Sequence, residues 1–209
     1  MATDAHQFGR WQPWGPHEVA RFFETVTVPW WIAGGWALDL FLGEQTREHE
    51  DIDVQFLRRD QQAIRSVFGD WDVQAVHEGS SPTWPFRTWE QGVPLSEGVH
   101  DIWCRPTPAS PWALQLMVAD SSDGDWLFRR DARIQRPLTS IGGRSADGIP
   151  YIAPEIQLLY KAKGRRPKDE MDFERVAPSL DRARRLWLRQ ALEMTLPGHP
   201  WLARLAFDS

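Results

Sequence analysis

The spacing of apolar positions changes near Pro150. Before it, short runs that alternate every second residue are interleaved with runs of helical period; after it, nearly all apolar positions recur at helical spacing. Gly15-Pro16 opens a helix reaching about Val26, with proline at the first helical position, where its missing N–H costs nothing. The apolar run WWIAG (Trp30 to Gly34) reads as a buried strand, and WALDLFLG as a short helix closed by Gly43. DIDVQFL, from Asp51 to Leu57, alternates as a strand does, and Asp60 is placed to cap a helix ending near Phe68. WDVQAVHE and GVHDIWCR are further strands, and WALQLMVAD with DWLFRRDARI forms a hairpin turning between Ser121 and Gly124. Past Pro150, helices are expected over APEIQLLYKAKG, KDEMDFERVAP and DRARRLWLRQALEMT. The pattern therefore predicts an α+β fold: a mixed sheet flanked by helices within residues 1–150, then a small helical bundle within residues 151–209.

The first strand after the Gly43 turn raises a question of charge. In a strand, residues i and i+2 point to one face, so Asp51 and Asp53 lie side by side while Ile52 and Val54 enter the core. Two carboxylates that close resist ionising together unless a cation sits between them. Mg2+ fits, because it favours carboxylate oxygens, keeps several waters and takes its remaining ligands from substrate phosphates. Gly34 and Gly35 supply a complementary half: without a Cβ, they let a phosphate chain approach the backbone and the N–H groups that begin the next helix. Either signal alone is common; the order strand, Gly-Gly, helix, strand, Asp-x-Asp is far more specific.

Composition narrows the picture further. Hydrophobic residues make up 42% and charged residues 25% of the 209 positions, and no window approaches the roughly 20 uninterrupted apolar residues of a membrane span. MATDAHQFGRWQ lacks a basic start and an apolar stretch, so no secretory signal is expected. The single cysteine, Cys104, precludes an internal disulfide and reads as a core thiol, which fits a cytoplasmic location. A net charge of -5 disfavours a general nucleic-acid binder. The 13 tryptophans are expected to build the core and the walls of a cleft. No Walker-type loop, G-x-G-x-x-G or H-E-x-x-H is present, and His49 reads as a loop residue.

The string GGWALDLFLGEQTREHEDIDV, with Thr46-Arg47 before the carboxylates, resembles the signature of the DNA polymerase β-type nucleotidyltransferase superfamily. Within it, the string is similar to the branch of aminoglycoside 2''-nucleotidyltransferases and lincosamide nucleotidyltransferases. YIAPEIQLLYKAKGRRPKDEMDF is similar to that branch's C-terminal helical segment. The resemblance implies a nucleotidyltransferase-type fold and a third carboxylate on a neighbouring strand. Asp101 in EGVHDIWCRP is the candidate, with Glu97, Asp72 and Asp120 as competitors. That acid either completes the metal site or takes the acceptor's proton. The implied activity is Mg2+-dependent transfer of AMP from ATP to a hydroxyl of a small, antibiotic-like molecule. Two ions are held by Asp51, Asp53 and Asp101, and the triphosphate is met by Gly34, Gly35, Arg47, Lys161, Lys163 and Lys168. Asp169, Glu170 and Asp172 read as partners of a helix start. Glu78, Glu90 and Glu97 are candidates to line a pocket for a polycation, and residues 79–98 to form its wall. Two alternatives stay open: a toxin-type enzyme acting on tRNA or protein, for which DRARRLWLRQ offers a basic stripe, and a nucleotide-binding protein without catalysis.

Overall fold

The computed structural model describes residues 8–77 and 85–206. Helix α1 (Pro16–Phe22) is followed by β1 (Trp30–Ile32), α2 (Gly34–Leu42), β2 (Asp53–Leu57), α3 (Gln61–Val67), β3 (Asp72–Val76), β4 (Phe86–Thr88), β5 (Asp101–Arg105) and β6 (Leu114–Ser122). Then come β7 (Asp125–Leu127), β8 (Gln135–Pro137), β9 (Gly142–Arg144), β10 (Pro150–Ile152), α4 (Pro154–Ala162), α5 (Pro167–Val176), α6 (Arg182–Thr195) and α7 (Trp201–Arg204). The strands form one mixed sheet in the order β4-β3-β5-β6-β2-β1-β10-β9, with β7 and β8 branching from β6. Strand β2 runs parallel to β6 and antiparallel to β1, while β5 runs antiparallel to β6. The α+β architecture expected from the periodicity is the one observed.

Alternation along the central strands separates two environments. Val54 and Phe56, Ile102 and Cys104, and Leu114 and Leu116 point together into a fully buried cluster closed by α1 and α3, through Val19, Phe23, Ile64 and Phe68. The opposite face therefore receives Asp53 and Gln55 from β2, Gln115 and Met117 from β6, and Asp101 and Trp103 from β5. Residues of α4, α5, α6 and α7 build the second cluster, where Leu158 and Leu159 meet Leu188 and Leu192. Each such leucine contributes about 2 kcal/mol by leaving water, and together they hold α4 and α5 beside the polar face of the sheet.

Several boundaries differ from the sequence expectation. Asp51 and Ile52 precede β2 rather than belonging to it, although the Ile52 carbonyl already accepts from the Gln115 N–H of β6. Asp60 makes no capping hydrogen bond; it ends a 3-10 turn and lies 3.7 Å from Arg59. Short strands β4, β8, β9 and β10 were hidden by their three-residue length, and α1 ends at Phe22, short of Val26. The hairpin turn is as expected: Asp123 and Gly124 both have positive φ, the geometry of a tight two-residue connection. Among the described residues no helix is long and apolar enough to cross a membrane.

Candidate functional site

A cleft of about 560 Å3 opens on the polar face of the sheet, between β2, the start of α2 and the α4–α5 connection. Its floor is set by register. Asp53 pairs with Gln115 on β6, and Gln115 pairs in turn with Trp103 on β5, next to Asp101. The Gln115 side chain donates Nε2 to Asp101 Oδ1 at 2.7 Å, fixing that carboxylate. Asp51 reaches the same cleft from the irregular segment before β2.

Both sheet carboxylates resist ionisation. Burial raises Asp53, and the neighbouring charges of Asp51 and Asp101 raise it further against the weaker pull of Lys161 and Lys168. Burial pushes Asp101 up to about 6, opposed by hydrogen bonds from Gln115 and Trp103 and by the charge of Arg129, and assisted more weakly by Asp51. The three acids thus sense one another across the cleft floor.

The glycine pair is shaped by these same side chains. Gly34 has φ +66, and a Cβ there would overlap the Asp53 carboxylate. A Cβ on Gly35 would overlap the Arg47 guanidinium and stand 2.6 Å from His49 Nδ1. The pair is therefore required by close side-chain approach as well as by backbone geometry. The Gly34 N–H, expected to face a phosphate, donates instead to Gln157 Oε1 at 2.9 Å.

The predicted cations all line the cleft, in different states. Arg47 is clamped to Asp172 through Nε to Oδ1 at 2.9 Å and Nη2 to Oδ2 at 3.1 Å. Lys161 is buried, 2.8 Å from Asp172 and 3.4 Å from Asp169. Lys168 lies 3.3 Å from Glu50, and Lys163 is exposed. Sequence reasoning missed Arg129, Arg130 and Arg166, which also line the cleft. Arg166 binds Asp169 at 2.8 Å, and Arg130 donates to the Tyr160 carbonyl. Arg129 and Lys163 form no salt bridge among the described residues. The Arg129-Arg130 pair was visible in the sequence, but nothing local tied it to the aspartates.

Asp169 and Asp172 do more than serve a helix start. Asp169 accepts from the Arg166 backbone N–H at 3.2 Å, as such a partner should. Burial alone would raise both acids, yet both are held below the usual carboxylate range, Asp169 by Arg166 and Lys161, and Asp172 by Arg47 and Lys161.

Other expectations fail for clear reasons. Glu90 and Glu97 are exposed and do not line the cleft, while Glu78 and residues 79–84 lie outside the described residues. The described part of 79–98 packs on the opposite face: Arg65 donates to the Trp89 carbonyl, and Trp89 stacks beside Phe56. Asp72 and Asp120 are taken up by Arg105 and Arg58. Among the described residues no tryptophan lines this cleft; Trp112, Trp126 and Trp201 are fully buried in the core. The basic stripe on α6 is largely engaged, with Arg184 on Asp181 and Glu155, Arg185 on the Ala177 carbonyl and Arg189 on Glu193.

The donor set suits a hard cation only together with a ligand. Among the described residues no three His, Cys, Asp or Glu side chains converge into a ready-made ion cage. Asp51 and Asp53 beside one another in an open cleft suit Mg2+, which completes its octahedron with water and phosphate oxygens.

The comparisons with known proteins agree with this geometry. A family model described as aminoglycoside-2''-adenylyltransferase matches residues 17–176. A lincosamide resistance protein of Staphylococcus haemolyticus is 45% identical over 38 residues, covering 18% of this chain and 24% of that protein. A 2''-aminoglycoside nucleotidyltransferase of Escherichia coli is 39% identical over 66 residues, covering 30% of this chain and 37% of that protein. The chain thus spans between 24% and 37% of the length of these curated relatives. Among solved structures, the lincomycin-bound lincosamide antibiotic adenylyltransferase LnuA superposes with a TM-score of 0.51 at 21% identity, over 77% of this chain and 93% of that one. ANT(2'')-Ia in complex with adenylyl-2''-tobramycin gives a TM-score of 0.53 at 16% identity, over 85% and 95%. At those identities the likeness is one of fold.

Proposed function

The chain belongs to the aminoglycoside-2''-adenylyltransferase family, and from that premise we propose that it is a Mg2+-dependent nucleotidyltransferase moving AMP from ATP to a hydroxyl of a small, antibiotic-like acceptor. The observation that carries this reading is the ionisation-resistant carboxylate of Asp53, which lines the cleft with Asp51, senses Asp101 behind it on the sheet and faces a wall of cations.

In the proposed reaction the acceptor hydroxyl oxygen bonds to the α-phosphorus, the bond from that phosphorus to the bridging oxygen breaks, and pyrophosphate leaves. Asp51 and Asp53, with Asp101 beside them, are the residues that would hold Mg2+. When bound, that ion supplies charge neutralisation at the phosphates and lowers the pKa of the hydroxyl. Asp101, held by Gln115 and raised to about 6, stays largely ionised at neutral pH while nearer to neutrality than an ordinary carboxylate, which suits a group that takes the hydroxyl proton. Lys163 and Arg129 are the cations best able to meet the departing pyrophosphate, since neither is committed to a carboxylate. Lys161, Lys168 and Arg47 add a fixed positive field from their paired positions. We further propose that residues 1–150 form the nucleotidyltransferase domain with the metal and triphosphate site, and that residues 151–209 form a C-terminal helical subdomain whose Lys161, Lys163 and Lys168 add to the cationic wall.

Family membership and the LnuA and ANT(2'')-Ia folds support an antibiotic as acceptor. The engaged arginines of α6 weigh against a tRNA acceptor. The test is transfer of label from α-labelled ATP, with Mg2+, to a panel of aminoglycosides, lincosamides and bulk tRNA, with Asp53→Asn alongside. Transfer to one antibiotic class, falling at least about a thousandfold in the variant as about 4 kcal/mol of charge stabilisation is lost, is the expected result. No transfer to any of them despite Mg2+-dependent ATP binding would overturn the proposed acceptor class.

A further inference from the structure

The stretch that carries Asp51 has no regular secondary structure from Gly43 to Ile52, yet the side chain of His49 within it is almost wholly enclosed. His49 lies with Nε2 2.6 Å from Asp39 Oδ2, and the two side chains are 2% and 4% exposed. The other oxygen of Asp39 accepts from Thr46 Oγ1 at 2.7 Å. The imidazole lies on the Trp36 ring, with centroids 4.3 Å apart and planes at 30°. Its edge rests against the backbone of Gly35 so closely that any Cβ there would collide with it.

These contacts come from a single helix. Gly35 and Asp39 are one turn apart on α2, so they share a face. That face holds the ring from one side and the carboxylate from the other, while Trp36 covers it. Ile52, on the far side of Asp51, is fully buried. Asp51 is therefore the partly exposed member of a segment fixed at His49 before it and at Ile52 after it. Fixing a loop residue costs backbone entropy, and a segment already fixed in the fold does not incur that cost on binding.

Resting on the nucleotidyl-transfer reading, we propose that Asp39 and His49 are positioning residues of the active centre. Their buried pair locks the 44–52 segment to α2 and thereby sets the Asp51 carboxylate against Asp53. Neither touches substrate. Gly35 is part of the same device, since only glycine admits the imidazole at that point of the helix.

The test uses His49→Phe, which keeps a ring on Trp36 but cuts the link to Asp39, and His49→Gln, which keeps a donor. Three quantities are read in the full-length protein: amide hydrogen exchange of the 44–52 peptide without metal, Mn2+ affinity by electron paramagnetic resonance with and without ATP, and the split between kcat and KM. In His49→Phe, exchange is expected to rise about tenfold, Mn2+ affinity to fall about tenfold and kcat to fall 10- to 100-fold, in the range found for residues that orient metal ligands. KM for ATP stays within about twofold, and His49→Gln recovers part of each loss. Unchanged exchange and Mn2+ affinity in a folded His49→Phe overturn the proposal. So does a fall in KM performance as large as the fall in kcat, which would make the pair a general scaffold. If His49→Phe does not fold, the same criteria apply to His49→Gln. Exchange and Mn2+ affinity do not depend on turnover, so a wild type that transfers nothing would count against the reaction and leave the positioning role to be judged separately.

Discussion

Asp53 and Asp172 are both buried aspartates that sense the ammonium of Lys161, yet they respond in opposite directions. On the sheet floor, burial pushes Asp53 and Asp101 up, and its like-charged neighbours raise Asp53 further. On α5, burial acts on Asp169 and Asp172 in the same sense, but Arg47, Lys161 and Arg166 stand within hydrogen-bonding or ion-pair distance and pull them down. Burial is common to both groups; the presence of a fixed counter-cation separates them. The α5 acids have their charge balanced within the chain and hold the cleft wall together. The floor acids have theirs balanced only when a cation enters. A carboxylate cluster that the fold leaves electrostatically unfinished marks the place where a ligand completes it.

The comparison can be broken most directly by neutralising one acid of each kind. Asp172→Asn leaves Arg47 without its carboxylate and Lys161 with Asp169 alone, and is expected to destabilise the protein by about 3 kcal/mol, read by urea denaturation. Gly34→Ala forces a side chain into φ +66 and onto the Asp53 carboxylate, with an expected cost of about 2 kcal/mol and a loss of metal-dependent stabilisation. Asp53→Asn should do the reverse of Asp172→Asn in metal-free protein, raising stability by about 1 kcal/mol as like-charge repulsion is relieved. A loss of stability in that variant would show that the floor acids are already balanced.

The pH dependence of unfolding sharpens the same contrast. Asp101 moves from its usual 3.8 to about 6 in the folded protein, so its neutral form contributes stability that is fully present below 3.8 and is lost as pH rises through 6. Asp169 and Asp172 are shifted down, so their contribution is present above the ordinary carboxylate range and is lost as pH falls below it. Saturating Mg2+ is therefore expected to recover the loss at rising pH and to leave the acid limb unchanged, in thermal melts between pH 4 and pH 8. The smallest effect is expected at the rim: Arg129→Ala or Lys163→Ala should raise KM for ATP about fivefold, or about 1 kcal/mol, with no change in melting temperature.

Legibility in the sequence followed chain distance. The Gly-Gly and Asp-x-Asp signals lie within one helix and one turn of each other, so periodicity sufficed to bring them together. Asp101 was suggested by its alternating strand and the family resemblance, and the register sets it opposite Met117 on β6, close enough for its charge to act on Asp53. Arg47 shows the opposite case. As an arginine just before two carboxylates it reads as a phosphate ligand, and its actual partner, Asp172, is 125 residues away. His49 reads as an ordinary loop histidine because its burial depends on Gly35, Trp36 and Asp39 coming round on one helical face.

By itself the sequence determined the alternation that puts Asp53 and Val54 on opposite sides of a strand, the turns at Gly43 and Gly124, and the helical character of the chain after Pro150. These depend on backbone geometry and nearest neighbours, which a local pattern encodes. Only the tertiary structure decided which acids are balanced and which are not, because charge compensation acts over a few ångströms of space whatever the separation along the chain. The placement of β6 between β2 and β5, and of α4 and α5 against the cleft, made that choice.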